Sequence, residues 1–274
     1  MSRTIIFISY LLIAIFCLVP RMKFDYGADN IPFPAKMESG GEDAHACNEN
    51  LLAVADGVGG WNSQGINPAL YSRELVEHVV SIFQASKEEL TPKQILINAA
   101  KANLQKGSST LVIGVLNSNG NFSASFIGDS GYAILRDTGN GPKIIHRSRE
   151  QQHSFNYPFQ VGHIGDDPSE AIEEEHNLME GDVVVLGSDG LFDNLFDKDI
   201  EECLKTGFKL ESSAELSKLL AKLAYKYSLD KKRECPFGLG AKKSGYSYEG
   251  GKSDDISVVV GRVIYDTLDS ETQE

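Results

Sequence analysis

Short apolar runs alternate along the chain with longer segments of helical periodicity. Seven runs are rich in β-branched and aromatic residues, and most are bounded by Gly, Asn or Asp, which is typical of strands. We therefore predict strands at 51–55, 110–116, 122–127, 132–135, 143–146, 183–186 and 256–263.

Three segments combine a helix start signal with apolar residues spaced three or four apart. Asn67 precedes Pro68, Thr91 begins a capping box that Gln94 completes, and Ser212 lies three residues before Glu215. The second helix is expected to end near Gly107. The first carries its apolar face on Val76, Val79, Val80 and Phe83, and the third on Leu216, Leu219, Leu220, Leu223, Ala224 and Tyr227.

The order of these elements predicts the fold class. The turn sequences NSNGN at 117–121 and DTGNGP at 137–142 each separate two predicted strands, which indicates antiparallel pairing. Helices do not alternate regularly with strands, so a doubly wound parallel sheet is disfavoured. We predict one α+β domain in which sheets pack together with helices outside.

Composition limits the partners. The 274 residues carry a net charge of −13 at pH 7, so the chain should repel nucleic acid. Any phosphate chemistry therefore needs a supplied cation. The four cysteines are scattered without a CxxC pair, and they suggest neither a zinc site nor a disulfide framework.

The N-terminus has a different character. Residues 4–19 are almost entirely apolar, and Arg3, Arg21 and Lys23 flank them. No small-x-small cleavage site follows, so we expect residues 1–22 to form a membrane anchor or targeting segment rather than a cleaved signal. If Met22 is the true start, the expected location is mitochondrial or cytosolic.

Acidic residues recur where predicted strands begin or end. Taken singly, an Asp beside Gly is most often a turn former. Taken together, such acids would repel one another unless a cation bound them, and a set of carboxylates without His or Cys suits Mg²⁺ or Mn²⁺ rather than zinc. The candidates are Glu42, Asp43, Asp56, Asp129, Asp189, Asp193 and Asp254, with Asp255 beside the last.

Glycines follow the acid of VADGVGGW. Gly57 would let the backbone approach the ions, so that its carbonyl serves as a ligand, while Gly59 and Gly60 would permit positive φ. A phosphate-binding nest is the competing interpretation, but neither the P-loop nor the GxGxxG spacing is present.

Six motifs together resemble the metal-dependent type 2C (PPM) serine/threonine protein phosphatases. They are EDAH, VADGVGGW, GSSTLVIGVL, IGDSGY, GSDGLFDN and DDISVVV, which fall in the family's order between Glu42 and Val260. Two other segments look most like the branch that includes mitochondrial members. The resemblance implies a four-layer sandwich of two central antiparallel sheets flanked by helices, over residues 23–265, with 266–274 a polar tail.

The resemblance also implies roles for the acids. Asp56 matches the residue that bridges two Mn²⁺ or Mg²⁺ ions, and Gly57 the carbonyl ligand. Asp189 and Asp254 match the other ligands of one ion, and Glu42, with Asp43 beside it, serves the second. Asp129 and Asp193 match residues that hold a third metal in some members. A hydroxide between the ions would attack phosphoserine or phosphothreonine of a protein substrate, and we expect a monomer.

Two positions depart from the common family pattern. Val58 stands where a proton-donating His is usual, and Glu38 where a phosphate-binding Arg is usual, so neither role is assigned. His45 and His153 are near in motif terms but are not favoured as the acid. A catalytically impaired binding module is the main alternative. A nuclease is disfavoured by the absence of a basic stripe, and a calcium-binding protein by the absence of a DxDxDG loop.

Overall fold

Two five-stranded antiparallel sheets form the centre of the fold. The computed structural model describes residues 21–86, 90–205, 207–208 and 211–266. The first sheet runs in the order β1 (Met22–Ile31), β14 (Ile256–Tyr265), β13 (Val183–Gly187), β7 (Gly131–Asp137), β8 (Pro142–Arg147). The second runs in the order β12 (Ile172–Asn177), β6 (Asn121–Ile127), β5 (Leu111–Leu116), β3 (Leu51–Asp56), β2 (Asp43–Cys47).

The remaining elements are helices and short strands. The helices are α1 (Pro68–Ala85), α2 (Pro92–Ala102), α3 (Asp189–Phe192), α4 (Asp197–Lys205), α5 (Ser213–Ser228) and α6 (Pro236–Lys243). Single 3₁₀ turns lie at Pro34–Lys36, Gly59–Gln64 and Pro168–Glu170, and the short strands are β4 (Ser108–Ser109), β9 (Gln152–Ser154), β10 (Tyr157–Pro158) and β11 (Val161–Gly162). None of the described helices combines the length and apolarity needed to cross a bilayer.

Three apolar clusters divide the domain into four layers. Phe126 and Val259 belong to the cluster between the sheets. Leu75 of α1 packs on the outer face of the second sheet, and Leu220 of α5 packs on the outer face of the first. These layers confirm the predicted α+β sandwich.

Each of the seven apolar runs forms a strand, although Thr110 itself precedes β5, but β1, β2 and β12 of the two main sheets were not predicted. All three are edge strands, which bury less apolar surface. β12 has the sequence IEEEHN, and its residues alternate between half-buried and exposed. β1 pairs with β14 along its whole length, and its Gly27 is needed because a Cβ there would lie 2.3 Å from Ala214 Cα.

The predicted helix starts are found where expected, with one difference at an end. Asn67 accepts a hydrogen bond from Ala69 N–H, and Thr91 and Gln94 form a reciprocal capping box. The helix that should have reached Gly107 ends at Ala102. The backbone of Asn103 is extended there, and its side-chain amide donates a hydrogen bond to the carbonyl of Tyr71 at 2.9 Å.

The N-terminal segment predicted as an anchor, residues 4–19, lies outside the described residues and stays a prediction, as does the polar tail beyond Asp266. Met22, which we placed at the end of that segment, belongs to β1 and pairs with Tyr265.

Candidate active site

The predicted acids gather at one end of the sandwich. Asp56 is the last residue of β3 and is the register partner of Asp43, the first residue of β2. Asp129 lies in the turn from β6 to β7, Asp189 begins α3 directly after β13, and Asp254 precedes β14. In antiparallel sheets the end of one strand and the start of its neighbour share an edge, which is why residues far apart in sequence meet here.

Two lysines show how closely the acids approach one another. The Lys252 ammonium contacts Asp189, lies 2.7 Å from Asp193 Oδ2 and 3.4 Å from Asp254 Oδ2. Three carboxylates from two separate loops therefore surround one buried cation.

A second lysine contacts the other side of the cluster. Lys36 Nζ lies 2.6 Å from Glu42 Oε2 and 3.1 Å from Asp255 Oδ2, and its distance to Asp254 Oδ1 is 4.0 Å. Asp254 thus lies between the two lysines and joins their surroundings into one site.

Crowding raises the pKa of several of these acids. Burial, followed by the charge of Asp255, raises the pKa of Asp43 to about 8. Burial and the charge of Asp189 raise the pKa of Asp193 to about 7 and that of Asp254 to about 6, although Lys252 opposes both shifts. Burial and neighbouring carboxylates also raise the pKa of Asp56 and Asp129. The site therefore holds more negative charge than its lysines neutralise.

Several carboxylate oxygens lack a hydrogen-bond partner of good geometry within the described residues. They are both oxygens of Asp43 and Oδ1 of Asp189. The Ser188 hydroxyl is near enough to lower the pKa of Asp43, but burial and Asp255 outweigh it. Buried oxygens without partners are costly, and a divalent cation would satisfy them. The donor set consists of oxygens alone and fits Mn²⁺ or Mg²⁺.

Backbone contacts fix the position of Asp56. Its carbonyl accepts hydrogen bonds from Thr110 N–H at 2.9 Å and from the Ser109 hydroxyl at 2.8 Å. The Thr110 hydroxyl accepts from Asp56 N–H at 3.3 Å and pairs with Ser130 at 2.6 Å. These contacts link the end of β3 to the strand that begins at Leu111 and to the turn before β7.

Comparison with known proteins identifies the family. No protein-family model matches the chain. Probable protein phosphatase 2C 80 of Arabidopsis thaliana is 38% identical over 86% of this chain, which spans 58% of that protein. Probable protein phosphatase 2C 1 of Oryza sativa subsp. japonica is 35% identical over 86% of this chain and 74% of its own length. The chain belongs to the protein phosphatase 2C family.

Solved structures agree with this family. The photosystem II phosphatase PBCP superposes with a TM-score of 0.80 at 35% identity, over 86% of this chain and 97% of that one. The catalytic domain of the serine/threonine phosphatase PstP, solved with two manganese ions, shares the fold with a TM-score of 0.63 at 19% identity, over 89% of this chain and 99% of its own. The resemblance to type 2C phosphatases is confirmed, while the link to the mitochondrial branch stays a prediction.

The glycines of the phosphatase motif DGVGG are not all required for the same structural reason. A Cβ on Gly57 would lie 2.8 Å from the Glu42 carbonyl and 2.9 Å from that of Pro68, so only glycine fits this close approach. Our expectation of positive φ at Gly59 and Gly60 was wrong. The left-handed residue of this loop is Gly65, at φ 73°, where the 3₁₀ turn ends.

Three residues of the site were missed as functional candidates. Asp255 was noted only as the neighbour of Asp254, yet it is 2% exposed and accepts hydrogen bonds from the backbone N–H groups of Phe33 and Glu42, at 2.7 and 2.8 Å. It therefore ties the segment before β2 to the start of β14. Lys252, two residues before Asp254 in GGKSDD, was recognisable by its place in that motif. Lys36 carried no comparable signal.

The positions that depart from the family pattern are also visible. Glu38 is exposed, and Val58 is half-buried with its N–H donating to the Ser108 carbonyl at 3.0 Å. His45 is exposed on β2, and His153 pairs with Asp166 at 2.9 Å. These contacts give neither histidine a catalytic position.

The raised pKa values predict how metal binding depends on pH. In the unfolded chain Asp43 and Asp254 titrate near 3.8, and in the folded chain near 8 and 6. Their protonated forms therefore favour folding at low pH, and this stability is lost progressively as the pH rises from the unfolded pKa of 3.8 through the folded values of about 6 and about 8. A divalent ion replaces those protons, so Mn²⁺ should raise the melting temperature more at pH 8 than at pH 6.

Thermal melts with Mn²⁺ and with EDTA at pH 6, 7 and 8 check this expectation. A Mn²⁺-induced shift that is constant over this range, or greatest at pH 6, would contradict the assignment of these carboxylates to the metal site.

Proposed function

We propose that the chain hydrolyses phosphoserine and phosphothreonine in proteins with the help of two Mn²⁺ or Mg²⁺ ions. The observation that carries this proposal is the meeting of the predicted acids at one end of a type 2C phosphatase fold. Family membership supports phosphoproteins as substrates. The alternative of a binding module without turnover loses support because every acid matched to a metal role is present in the cluster.

The residues divide into two sets of ligands. Asp56 would bridge the ions, Asp189 and Asp254 would complete one of them, and Glu42 with the Gly57 carbonyl would serve the other. When bound, the ions would lower the pKa of a water and stabilise negative charge on the phosphoryl oxygens. The orphaned Oδ1 of Asp189 supports this assignment, and the orphaned oxygens of Asp43, beside Glu42, support a role for that acid in the metal site as well.

The chain itself holds the ligands in place. Glu42 Oε1 accepts a hydrogen bond from the Asn62 side-chain amide at 2.6 Å, while Glu42 Oε2 contacts Lys36. The backbone N–H of Glu42 also donates a hydrogen bond to the Asp255 carboxylate, which holds this segment in place. Because these contacts bring neighbouring loops together before any ion binds, the geometry of the site is partly preorganised.

The position of Lys252 favours a site with two metal ions rather than three. Its ammonium contacts Asp189 and lies 2.7 Å from Asp193 Oδ2, and Asp193, together with Asp129, matches third-metal ligands in some family members. Burial disfavours its charge, but the carboxylates outweigh this effect and raise its pKa. A permanent cation thus stands at the place where a third ion would bind.

Lys36 is our candidate to replace the missing phosphate-binding arginine. Burial opposes its charge, but Glu42, Asp255 and Asp254 raise its pKa, so the ammonium is retained. Its side chain is 27% exposed and could therefore reach substrate. Val58 has no proton to donate, and we propose that water protonates the leaving oxygen.

The first prediction concerns the ligands. Asp56→Asn, Asp189→Asn and Asp254→Asn should each abolish Mn²⁺-dependent hydrolysis of a phosphothreonine peptide, because each removes a charged ligand. Glu173→Gln, an exposed change on β12, is the matched control. Normal EDTA-sensitive turnover in all three Asp variants would reject the assignment, and absence of turnover in the unaltered chain would favour the binding module.

The second prediction concerns Lys36. Lys36→Met should lower kcat/KM for the peptide by about 10- to 100-fold, because a positive charge that faces the phosphate is lost. Lys36→Arg should restore part of the activity, and Glu38→Gln should change little. If Lys36→Met instead weakened Mn²⁺ binding without altering kcat/KM at saturating metal, the lysine would be structural only.

The third prediction concerns Lys252. Calorimetric titration should find two Mn²⁺ ions per chain, and Lys252→Met should admit a third, weaker ion beside Asp129 and Asp193. Three ions in the unaltered chain would contradict the proposed role of Lys252.

A further inference from the structure

A second polar cluster lies at a side edge of the sandwich. His146 lies on β8, an edge strand of the first sheet. Glu174 and His176 lie on β12, an edge strand of the second sheet. Glu174 and His176 share one face of β12 because strand side chains repeat every two residues. The cluster therefore joins edge strands of two different sheets.

The potential ligand atoms of this cluster are close together. One atom each of His146, Glu174 and His176 lies within 4.8 Å of the other two. His146 Nε2 is 2.9 Å from Glu174 Oε2, and the two imidazole centroids are 4.2 Å apart. Two imidazoles and one carboxylate that converge in this way match the ligand types of His₂Glu zinc sites.

We propose that His146, Glu174 and His176 bind a zinc ion, at a site separate from the acid cluster. Two nitrogens and one oxygen favour Zn²⁺ over the Mg²⁺ or Mn²⁺ that oxygen-only ligands select. The three residues are half-buried, so an ion can enter from solvent and a water can complete four-coordination. None of them is among the acids matched to phosphatase roles.

The distances between the ligand atoms need only a small change to accommodate a zinc ion. Ligand atoms of a tetrahedral zinc site are about 3.3 Å apart, given metal–ligand distances of about 2.0 Å. His146 Nε2 and Glu174 Oε2 are 2.9 Å apart, so these two ligand atoms must separate by roughly 0.4 Å. Among the strands that the structure describes, β8 and β12 each have one unpaired edge, which leaves room for this adjustment.

Tyr132 acts as a positioning residue beneath the site. Its buried hydroxyl donates to Glu174 Oε2 at 2.6 Å and lies 2.7 Å from His176 Nε2. Burial and the hydrogen bond to Glu174 raise the pKa of Tyr132, so the phenol keeps its proton. Burial and the neighbouring His146 lower the pKa of His176, which favours the neutral imidazole that a metal requires.

The rival interpretation is a hydrogen-bonded network that seals the edge without any ion. The two differ in whether the chain takes up Zn²⁺ when its phosphatase site is saturated with Mg²⁺. Calorimetric titration of the Mg²⁺-saturated full chain with Zn²⁺ should show one Zn²⁺ site per chain. Co²⁺ in place of Zn²⁺ should give the visible absorption of a tetrahedral site with nitrogen ligands.

Variants assign the ion to this cluster. Glu174→Gln, His146→Gln and His176→Gln should each weaken Zn²⁺ binding by at least about 100-fold, and Tyr132→Phe by about 10- to 100-fold. Glu173→Gln and Glu175→Gln, which are exposed on the opposite face of β12, should bind normally. Mg²⁺-dependent phosphatase activity should be unchanged in the histidine variants, which shows that they fold and separates this site from the proposed catalysis.

Two results would overturn the proposal. One is the absence of Zn²⁺ uptake and of the Co²⁺ band in the unaltered chain, which does not depend on whether any variant folds. The other is Zn²⁺ uptake that His146→Gln and His176→Gln leave intact.

Discussion

The repulsion among carboxylates at one end of the sandwich is the constraint on which the rest of this structure depends. Eight acids meet there, and several titrate far above their ordinary range. Such an arrangement is tolerable only if cations share the space. Two lysines supply part of the positive charge, and the oxygens left without hydrogen bonds indicate where more is needed.

The sandwich brings these acids together without a large loop. Antiparallel pairing places the end of β3 beside the start of β2, and the end of β13 beside the start of β14. The buried strands therefore act as rigid supports, and each acid lies within a residue or two of a strand end, apart from Asp193, which directly follows α3. The layers that bury Phe126 and Val259 are thus also what holds the site's geometry.

Much of this was predictable from sequence because buried strands and capped helices have local signals. Runs such as 183–186 are apolar throughout, and Thr91 with Gln94 is visible as a capping box. The edge strands β1, β2 and β12 could not be predicted because one face of each is polar and their pairing is decided by distant partners. The acids were predicted as a set, since most of them lie close to the ends of predicted strands.

Other features of the sites required the folded chain. Lys36 reaches Glu42 because the 3₁₀ turn Pro34–Lys36 turns back toward the cluster, and no spacing rule places it there. Asp255 differs from Asp254 only in which way the backbone directs it, so sequence could not separate their roles. The cluster of His146, Glu174 and His176 depends on two sheets meeting at an edge, which is a property of tertiary packing.

Anomalous diffraction from crystals of the chain grown with Mn²⁺ tests the central claim most directly. We expect two manganese peaks on either side of the Asp56 carboxylate, one also bound by Asp189 and Asp254 and the other by Glu42. A single peak that does not touch Asp56, or no peak among these acids, would contradict it.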